Sequence, residues 1–491
     1  MTSAADTPVL VGAGAVQRHE GGPESAPDSI ELMESALRSA GDDCGVQLLS
    51  SLDELIIPRG LWRHVDPGRQ IAERVGAPNA RTVSAEIGIL QQAAINRACD
   101  EVSSGRARIV AVLGGESKWR EQQASRAGID LARPADLDGP GSDGSVPDIV
   151  LEPDGELWWQ AEADRGLLMP VEHYAMCEQA LRMAEGQSIA DHAVELDVRT
   201  EIFHSVADAN PAAWPHRLDP GPDHPALAVP YRKNHPSQWN VDQAAALIIT
   251  TLGLVEELGI DRDRCVFPLA GVEANQLVPV SARAQMGRSQ GFEEAFSAAF
   301  DVSGLSVDDL AHIDCYSCFP IAVRAQARAL GISDTDASRP LTITGGMAFA
   351  GGPLNNYVLQ AMVRLVELVR RDQAPAMSTS VSGMLNKQGA GIWGPTPSAE
   401  PYRTIDVTEA TTAATGLKAL DASATGPAEI ASWTVVHQGG EPRRLIAICD
   451  TTNGRRAVAA TERVDEVRLA TEQGLARQPV ELVPDGGLRL T

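Results

Sequence analysis

The sequence predicts a layered α/β fold followed by a small β-barrel. Three observations carry this: strands alternate with helices, the alternation returns in the second half, and the texture changes after residue 410. Ile30, Met33, Leu37 and Ala40 follow helical spacing, with Asp28 or Ser29 available as N-cap. Residues 53–58 read as a strand that stops at Pro58. A helix near 67–75, a strand near 81–84, a helix near 89–103 and a strand near 107–113 follow. Between about 118 and 238 the pattern breaks. Residues 130–156, rich in Asp, Gly and Pro, read as a surface loop. Helices near 172–186 and 188–208 come next, then a Pro/His-rich stretch from Pro211 to Pro236. The whole region reads as an insertion that covers one end of a sheet. Alternation resumes at Val241 and runs to 398, with strands at 311–315, 340–344, 376–381 and 390–393 and helices at 318–330 and 354–371.

This divides the chain into an N-terminal half over 1–250, with its insertion at about 118–238, and a C-terminal half over 251–400. A further β domain follows over 410–491. In that domain 429–437, 443–450, 455–461, 478–483 and 488–490 read as strands. Asn453-Gly454 signals a type I′ hairpin between two of them. Five short strands suggest a barrel of the OB type.

Composition narrows the function classes. A net charge of −25 argues against a nucleic-acid backbone as general partner. Aromatic residues at 4% leave few rings for base stacking. Seven scattered cysteines suit free thiols in a reducing compartment, and no apolar run reaches membrane-spanning length. The expectation is a soluble cytoplasmic protein. Only Lys118, Lys233, Lys387 and Lys418 are lysines among 41 basic residues, an arginine bias that fits a GC-rich bacterial genome.

Three local motifs point elsewhere and are weaker than they look. Val9–Gln17 resembles the opening of a dinucleotide fingerprint, but Gln17 stands at the third glycine position. Cys315 and Cys318 have CxxC spacing without a second pair, which suits two semi-buried thiols better than zinc. His216, His224 and His235, with Asp219 and Asp223, are spaced too irregularly for a metal site. No metal and no required cofactor is expected.

Four other segments fit together. Asp242-Gln243-Ala244-Ala245-Ala246 opens a core strand, and His312-Ile313-Asp314-Cys315-Tyr316-Ser317 spans a strand end. Gly345-Gly346-Met347-Ala348-Phe349-Ala350-Gly351-Gly352-Pro353 is a glycine motif closed by proline. Gly383-Met384-Leu385-Asn386-Lys387-Gln388-Gly389 lies between two late strands. Together they resemble the thiolase superfamily, in particular its sterol-carrier-protein branch and the type 1 thiolase-like proteins that add an OB-like barrel. The resemblance spans residues 1 to about 398, plus the barrel. It implies two similar layered halves and a ligand of the CoA or acyl-CoA type.

In thiolases a cysteine at a helix N-terminus takes the acyl group, a Gly-His-Pro histidine activates it, and a second cysteine moves a proton. An oxyanion hole stabilises the charged intermediates. This chain departs at each position. Gly88 stands where the nucleophile belongs, Ile313 replaces the histidine of His-Asp-Cys-Phe-Ser, Gly352 replaces that of Gly-His-Pro, and Gly383 replaces the last cysteine. Four small or apolar residues at these positions suggest a pocket roomier than a thiolase's.

The polar residues left near the pocket are Asp314, Tyr316, Ser317, Asn355, Asn356, Lys387 and Gln388. Each is a candidate substrate-binding group with a structural alternative: Asp314 and Ser317 as caps of the helix near 318, the two asparagines as partners of backbone after Pro353, and Lys387 as a solvated loop residue. Arg232 and Lys233 form the one conspicuously cationic loop and are the candidates for CoA phosphate.

Three functions compete: a CoA- or acyl-CoA-binding protein of lipid metabolism without thiolase activity, an enzyme cleaving or transferring acyl groups of a CoA thioester through a Tyr or Asp base, and an interaction subunit whose C-terminal barrel engages a partner protein or single-stranded nucleic acid. Glycine and isoleucine can neither attack a thioester nor carry a proton. Purified protein is therefore expected neither to condense acetyl-CoA nor to cleave acetoacetyl-CoA with CoA. Thiolytic turnover at ordinary enzyme rates, or an acetyl adduct on any cysteine, would refute this.

Overall fold

The computed structural model describes residues 4–131, 146–157 and 159–491. The first half opens with β1 (Pro8–Gln17), α1 (Ser29–Asp43), β2 (Glu54–Pro58), α2 (Pro67–Val75), β3 (Arg81–Ala85), α3 (Gln91–Ser103) and β4 (Val110–Ser117). The Asp28 carboxylate caps α1 and Glu31 reaches back to the Asp28 amide, so the helix starts where the sequence placed its cap. Gly12 and Gly14 of β1 are not a phosphate loop. A side chain at either would strike the backbone of α1 at Ala40, so the glycines let helix and strand approach.

The insertion supplies α4 (Lys118–Ala127), β5 (Ile149–Leu151), α5 (Gln160–Ala163), α6 (Pro170–Ala184), α7 (Ile189–Asp208), β6 (Ala226–Ala228) and β7 (Tyr231–Arg232). Part of the stretch expected as a surface loop is therefore strand, since β5 pairs with β3 from Val83↔Ile149 to Ala85↔Leu151. Residues 132–145 of that stretch lie outside the described residues. The half closes with β8 (Asp242–Thr251) and α8 (Leu252–Leu258).

The second half runs through β9 (Phe267–Ala274), α9 (Gln290–Ser303), β10 (His312–Asp314), α10 (Pro320–Leu330), α11 (Gly346–Phe349), α12 (Tyr357–Asp372), β11 (Ala376–Ser382) and β12 (Lys387–Gly394). Then come β13 (Thr404–Asp406) and α13 (Thr408–Ala414).

The two halves repeat one topology. The first sheet runs β1-β8-β4-β2-β3-β5, with β8 antiparallel to both neighbours. The second runs β10-β11-β12-β9-β13, with β12 antiparallel to both neighbours. In the first half β1 lies beside β8 and β8 beside β4, and in the second β9 lies beside β12 and β12 beside β11. The second half lacks its third strand, which the sequence places at 340–344. One backbone bond, from the Cys315 amide to the Leu341 carbonyl, brings that segment next to β10. Its next amides go to side chains instead: Ile343 to Asp314, Thr344 and Gly345 to Thr342, and Gly346 to Thr344. A segment whose donors are so engaged forms no ladder. Between the sheets lie α3 and α12, while α1 and α2 cover the first sheet outside and α9 covers the second.

The C-terminal region has β14 (Gly426–Gln438), β15 (Glu441–Thr451), β16 (Arg456–Thr461), α14 (Val464–Gln473), β17 (Pro479–Val483) and β18 (Gly487–Leu490). The ring β14-β15-β16-β18-β17 closes back onto β14, with β16 and β18 parallel, a five-stranded closed barrel with a helix before its fourth strand. The hairpin at Asn453-Gly454 exists but is not type I′. Only Gly454 is left-handed (φ 77°), and the loop spans four residues between Thr451 and Arg456.

The barrel is not free-standing. Along β15, Leu445, Ala447 and Cys449 face the barrel interior, whereas Ile446 and Ile448 join the apolar core of the two halves. The Ser432 hydroxyl donates to the Met176 carbonyl of α6 (2.6 Å), and β6 extends the barrel sheet from β14. The fully buried Arg456 donates to the carbonyls of Ser281 and Arg283. From sequence alone, a chain cut near residue 408 is expected to leave a folded core. This apolar face changes that outcome: the cut is expected to bare it and α6. Solubility and melting temperature check this, and a truncated chain that melts with the parent would show that the face is dispensable.

Candidate functional site

Three of the four motif positions lie in loops and the fourth in β10, and the fold brings Gly88 and Gly383 under one neighbour. Gly88 sits just before α3 with φ 112°, and Gly383 lies between β11 and β12 with φ 66°. A Cβ at Gly88 would stand 2.9 Å from Pro153 and 3.1 Å from Leu157, and one at Gly383 would stand 3.2 Å from the same leucine. The two glycines therefore share one cover, contributed by the insertion. At Gly352 a side chain would run into the Ser237 hydroxyl, with Met347 close by. Ile313 is buried and pairs with Met377, while the neighbouring His312 turns outward to Asp372 (2.7 Å). The roomier pocket expected from the glycines is absent here, because Pro153, Leu157, Ser237 and Met347 take the space.

Asp314 is fully buried but caps no helix. It accepts hydrogen bonds from Thr342 Oγ1 (3.0 Å), the Ile343 amide (2.9 Å) and the Tyr357 hydroxyl (3.0 Å). Burial pushes its carboxyl up to about 6, against the pull of those donors. Ser317 accepts from the Met347 amide (3.0 Å) and so caps α11, not the helix near 318. α10 begins at Pro320 without a side-chain cap. Both residues hold the glycine motif in place. The Tyr316 ring meets Tyr357 edge to face at 5.9 Å, and its amide donates to Thr379 (2.7 Å).

Neither asparagine side chain satisfies backbone after Pro353. Asn355 Nδ2 and both amide atoms of Asn356 lack hydrogen-bond partners among the described residues, and Asn356 lies against Gly114 of β4. Gln388 Nε2 donates to the Leu385 carbonyl (2.9 Å). Lys387 is not a solvated loop residue. It opens β12, opposite Ser382, and is 2% exposed. Burial lowers its pKa, opposed by the charges of Asp154 and Glu273.

Residues without a motif complete the site. Tyr174 of α6 donates its hydroxyl to the Gly383 carbonyl (2.9 Å) and accepts from the Leu385 amide (3.2 Å). Leu385 is left-handed (φ 56°), so a clamp on this loop is needed. Arg283 adds a second clamp, donating to the Met384 carbonyl (2.7 Å) and to Asn386 Oδ1 (2.5 Å). The Tyr174 ring stacks on Phe319 at 4.3 Å. Cys318 is the one incompletely buried cysteine, and desolvation pushes its thiol up to about 12, so it offers no ready thiolate. No sequence signal marks Tyr174 or Arg283, whose contacts run more than one hundred residues along the chain.

Arg232 is tied to Asp197 and leans on His235, which leaves Lys233 as the exposed cation of that loop without an ion pair among the described residues. Asn234 and His235, which follow, line a narrow cavity with Arg199, Ser317 and Phe349. A much larger cleft of about 860 Å³ separates the barrel from the core, bordered by Met183, Met286, Arg328, Lys418 and Arg477. None of the four motif positions lines it. His216 stacks on Trp119 (4.7 Å), His224 pairs with Asp219, and His235 lies beside Tyr231, so the three imidazoles do not converge.

No family model matches the chain, and no curated protein matches it either. Among solved structures it is similar to a monomeric SCP2-thiolase like protein type 1 from Mycobacterium smegmatis (TM-score 0.83, 23% identity, 99% of both chains). It is also similar to an Ltp2-ChsH2(DUF35) aldolase (TM-score 0.60, 16% identity, 80% of this chain and 98% of that one). A third is human mitochondrial 3-ketoacyl-CoA thiolase in complex with CoA (TM-score 0.54, 18% identity, 80% of this chain and 99% of that one). At these identities the likeness establishes the fold: a thiolase-like α/β protein with an added C-terminal barrel.

The Asp314 carboxyl ionises near 4 when unfolded and at about 6 in the fold. Between those values the folded state holds the extra proton, so the contribution of Asp314 is full below about pH 4 and falls as pH rises to about 6. Thermal melts of the parent and of Asp314→Asn should therefore diverge over that window, the parent losing up to ~3 kcal/mol relative to the variant. Parallel curves across the window would show that Asp314 titrates normally.

Proposed function

We propose that this chain binds a CoA thioester, or its acyl part, at the junction of the insertion and the glycine motif, in a lipid-metabolic role without thiolase chemistry. The observation that carries this reading is the pairing of an intact thiolase-like frame with Gly88, Gly352 and Gly383 where nucleophile and base would stand. The cationic loop supports the position. Lys233 precedes two residues that line a cavity reaching Ser317 and Phe349, next to the glycine motif. CoA presents phosphates at one end, so an exposed ammonium at such a mouth suits it. Arg232, spent on Asp197, contributes to the loop's shape rather than to an anion.

The interaction-subunit reading is weaker for single-stranded nucleic acid. OB folds bind such ligands on the face of their second and third strands. Here Ile446, Ile448 and Val458, from those two strands, are buried in the core of the two halves. No helix among the described residues is long and apolar enough to cross a membrane.

Calorimetric titration with CoA and acyl-CoAs tests the proposal. Lys233→Ala is expected to weaken binding by about 1 kcal/mol, roughly fivefold, and the parent's affinity should fall with salt. Arg232→Ala should instead act mainly on stability. Equal affinity of Lys233→Ala and parent across a salt series would reject the phosphate site. No detectable binding by the parent would reject the reading itself.

A further inference from the structure

The chain has four lysines, and three have ordinary surroundings. Lys118 pairs with Glu121, Lys418 pairs with Asp450, and Lys233 is exposed. Lys387 differs. It is 2% exposed, and no described carboxylate lies within ion-pair distance of it. A buried ammonium without a partner is costly, which favours the neutral amine.

Strand geometry tells where that amine points. Side chains alternate along β12. Gln388 turns toward Gly291 on α9, while positions 389 and 391 turn toward Gln92 on α3. Lys387, two residues before Gly389, shares the α3 side. Its nearest acids act through charge: Asp154 from the insertion and Glu273 from β9. Asp154 adjoins Pro153, the residue that closes over Gly88, and Leu157 touches both the Gly88 and Gly383 positions. Lys387 thus projects on the α3 side of β12, within charge range of the insertion segment that covers Gly88 and Gly383. Around it Asn386 Nδ2 is buried, has no partner among the described residues and stands 3.3 Å from where a Gly383 side chain would begin.

We propose that Lys387 is a carbonyl-reactive amine that holds a ketone- or aldehyde-bearing acyl ligand as an imine between Gly88 and Gly383. The nitrogen lone pair attacks the carbonyl carbon, and the C=O electrons move to oxygen, giving a carbinolamine. The C–O bond then breaks and a C=N bond forms. The oxygen leaves as water with both protons of the amine, so no oxidant or reductant is consumed. The acyl ligand rests on the function proposed above, but the amine chemistry does not require CoA.

The test is reductive trapping on the full chain at pH 7. Protein is incubated with sodium cyanoborohydride and either butanone or acetoacetyl-CoA, digested, and the four lysines are compared by mass spectrometry. Lys387 is expected to label severalfold faster than Lys118, Lys233 and Lys418, because burial favours its neutral, nucleophilic form. Leu157→Ala, which opens the cover, should speed labelling further. Lys387→Arg should remove it while leaving the far-ultraviolet spectrum unchanged. Labelling that follows exposure, with Lys233 first and Lys387 unmodified in both parent and Leu157→Ala, would overturn the proposal. Trapping by butanone without measurable CoA binding would sustain the amine and reject the thioester reading. Normal acyl-CoA binding with no trapping would do the reverse.

Discussion

Glu178 sits on α6 with no solvent exposure and three partners around it. Arg324 of α10 donates to it at 2.6 Å, His192 of α7 lies at 2.9 Å, and the Tyr231 hydroxyl of β7 donates at 2.8 Å. Burial alone would raise this carboxyl, yet the His192 hydrogen bond and the Arg324 charge outweigh it and hold it well below the usual carboxylate range. Removing one partner from such a set strands a buried charge at a cost of roughly 3–5 kcal/mol. The arrangement fastens the insertion to the second half. Two nearby residues of the same helix then do different jobs. Tyr174 clamps the 383–385 loop, and Met176 offers its carbonyl to the barrel. Site loop, insertion and barrel thus meet on one helix.

The glycines at the motif positions are packed against bulkier neighbours. A glycine introduced alone leaves a void, and voids in a packed interior are destabilising in proportion to their volume. Among the described residues, Pro153, Leu157, Ser237 and Met347 take the space beside Gly88, Gly352 and Gly383. The same holds for polarity. Two backbone amides of these loops are engaged by side chains: the Leu385 amide by Tyr174, and the Met347 amide by Ser317.

Much of this was legible in sequence because it is local. Helical spacing and a capping carboxylate located α1, and the glycine motif with its proline located the turn before α12. What was not legible depends on partners distant in the chain. The 340–344 segment has the apolar character of a strand, but a carboxylate at 314 takes the amide that a ladder would need. β6 and β7 hide in a proline-rich stretch because β6 pairs with β14, some two hundred residues on, and β7 is added only through β6. α14 did leave a signal, since Val467 and Ala470 are buried at helical spacing, but strand texture on both sides masked it. The candidate site follows the same division. Its glycines were readable by position, whereas Tyr174, Arg283 and Leu157 enter it only through the fold.

The short β5 has a consequence of its own. A parallel sheet that ended at β3 would present that strand's free amides and carbonyls to solvent, a template on which another chain could dock. β5 takes those groups over three residues, Ile149–Leu151. What it leaves outward is a ledge too brief to register a foreign strand. Growth of the first sheet across that border, whether into a companion molecule or into an aggregate, is stopped by the insertion's own backbone.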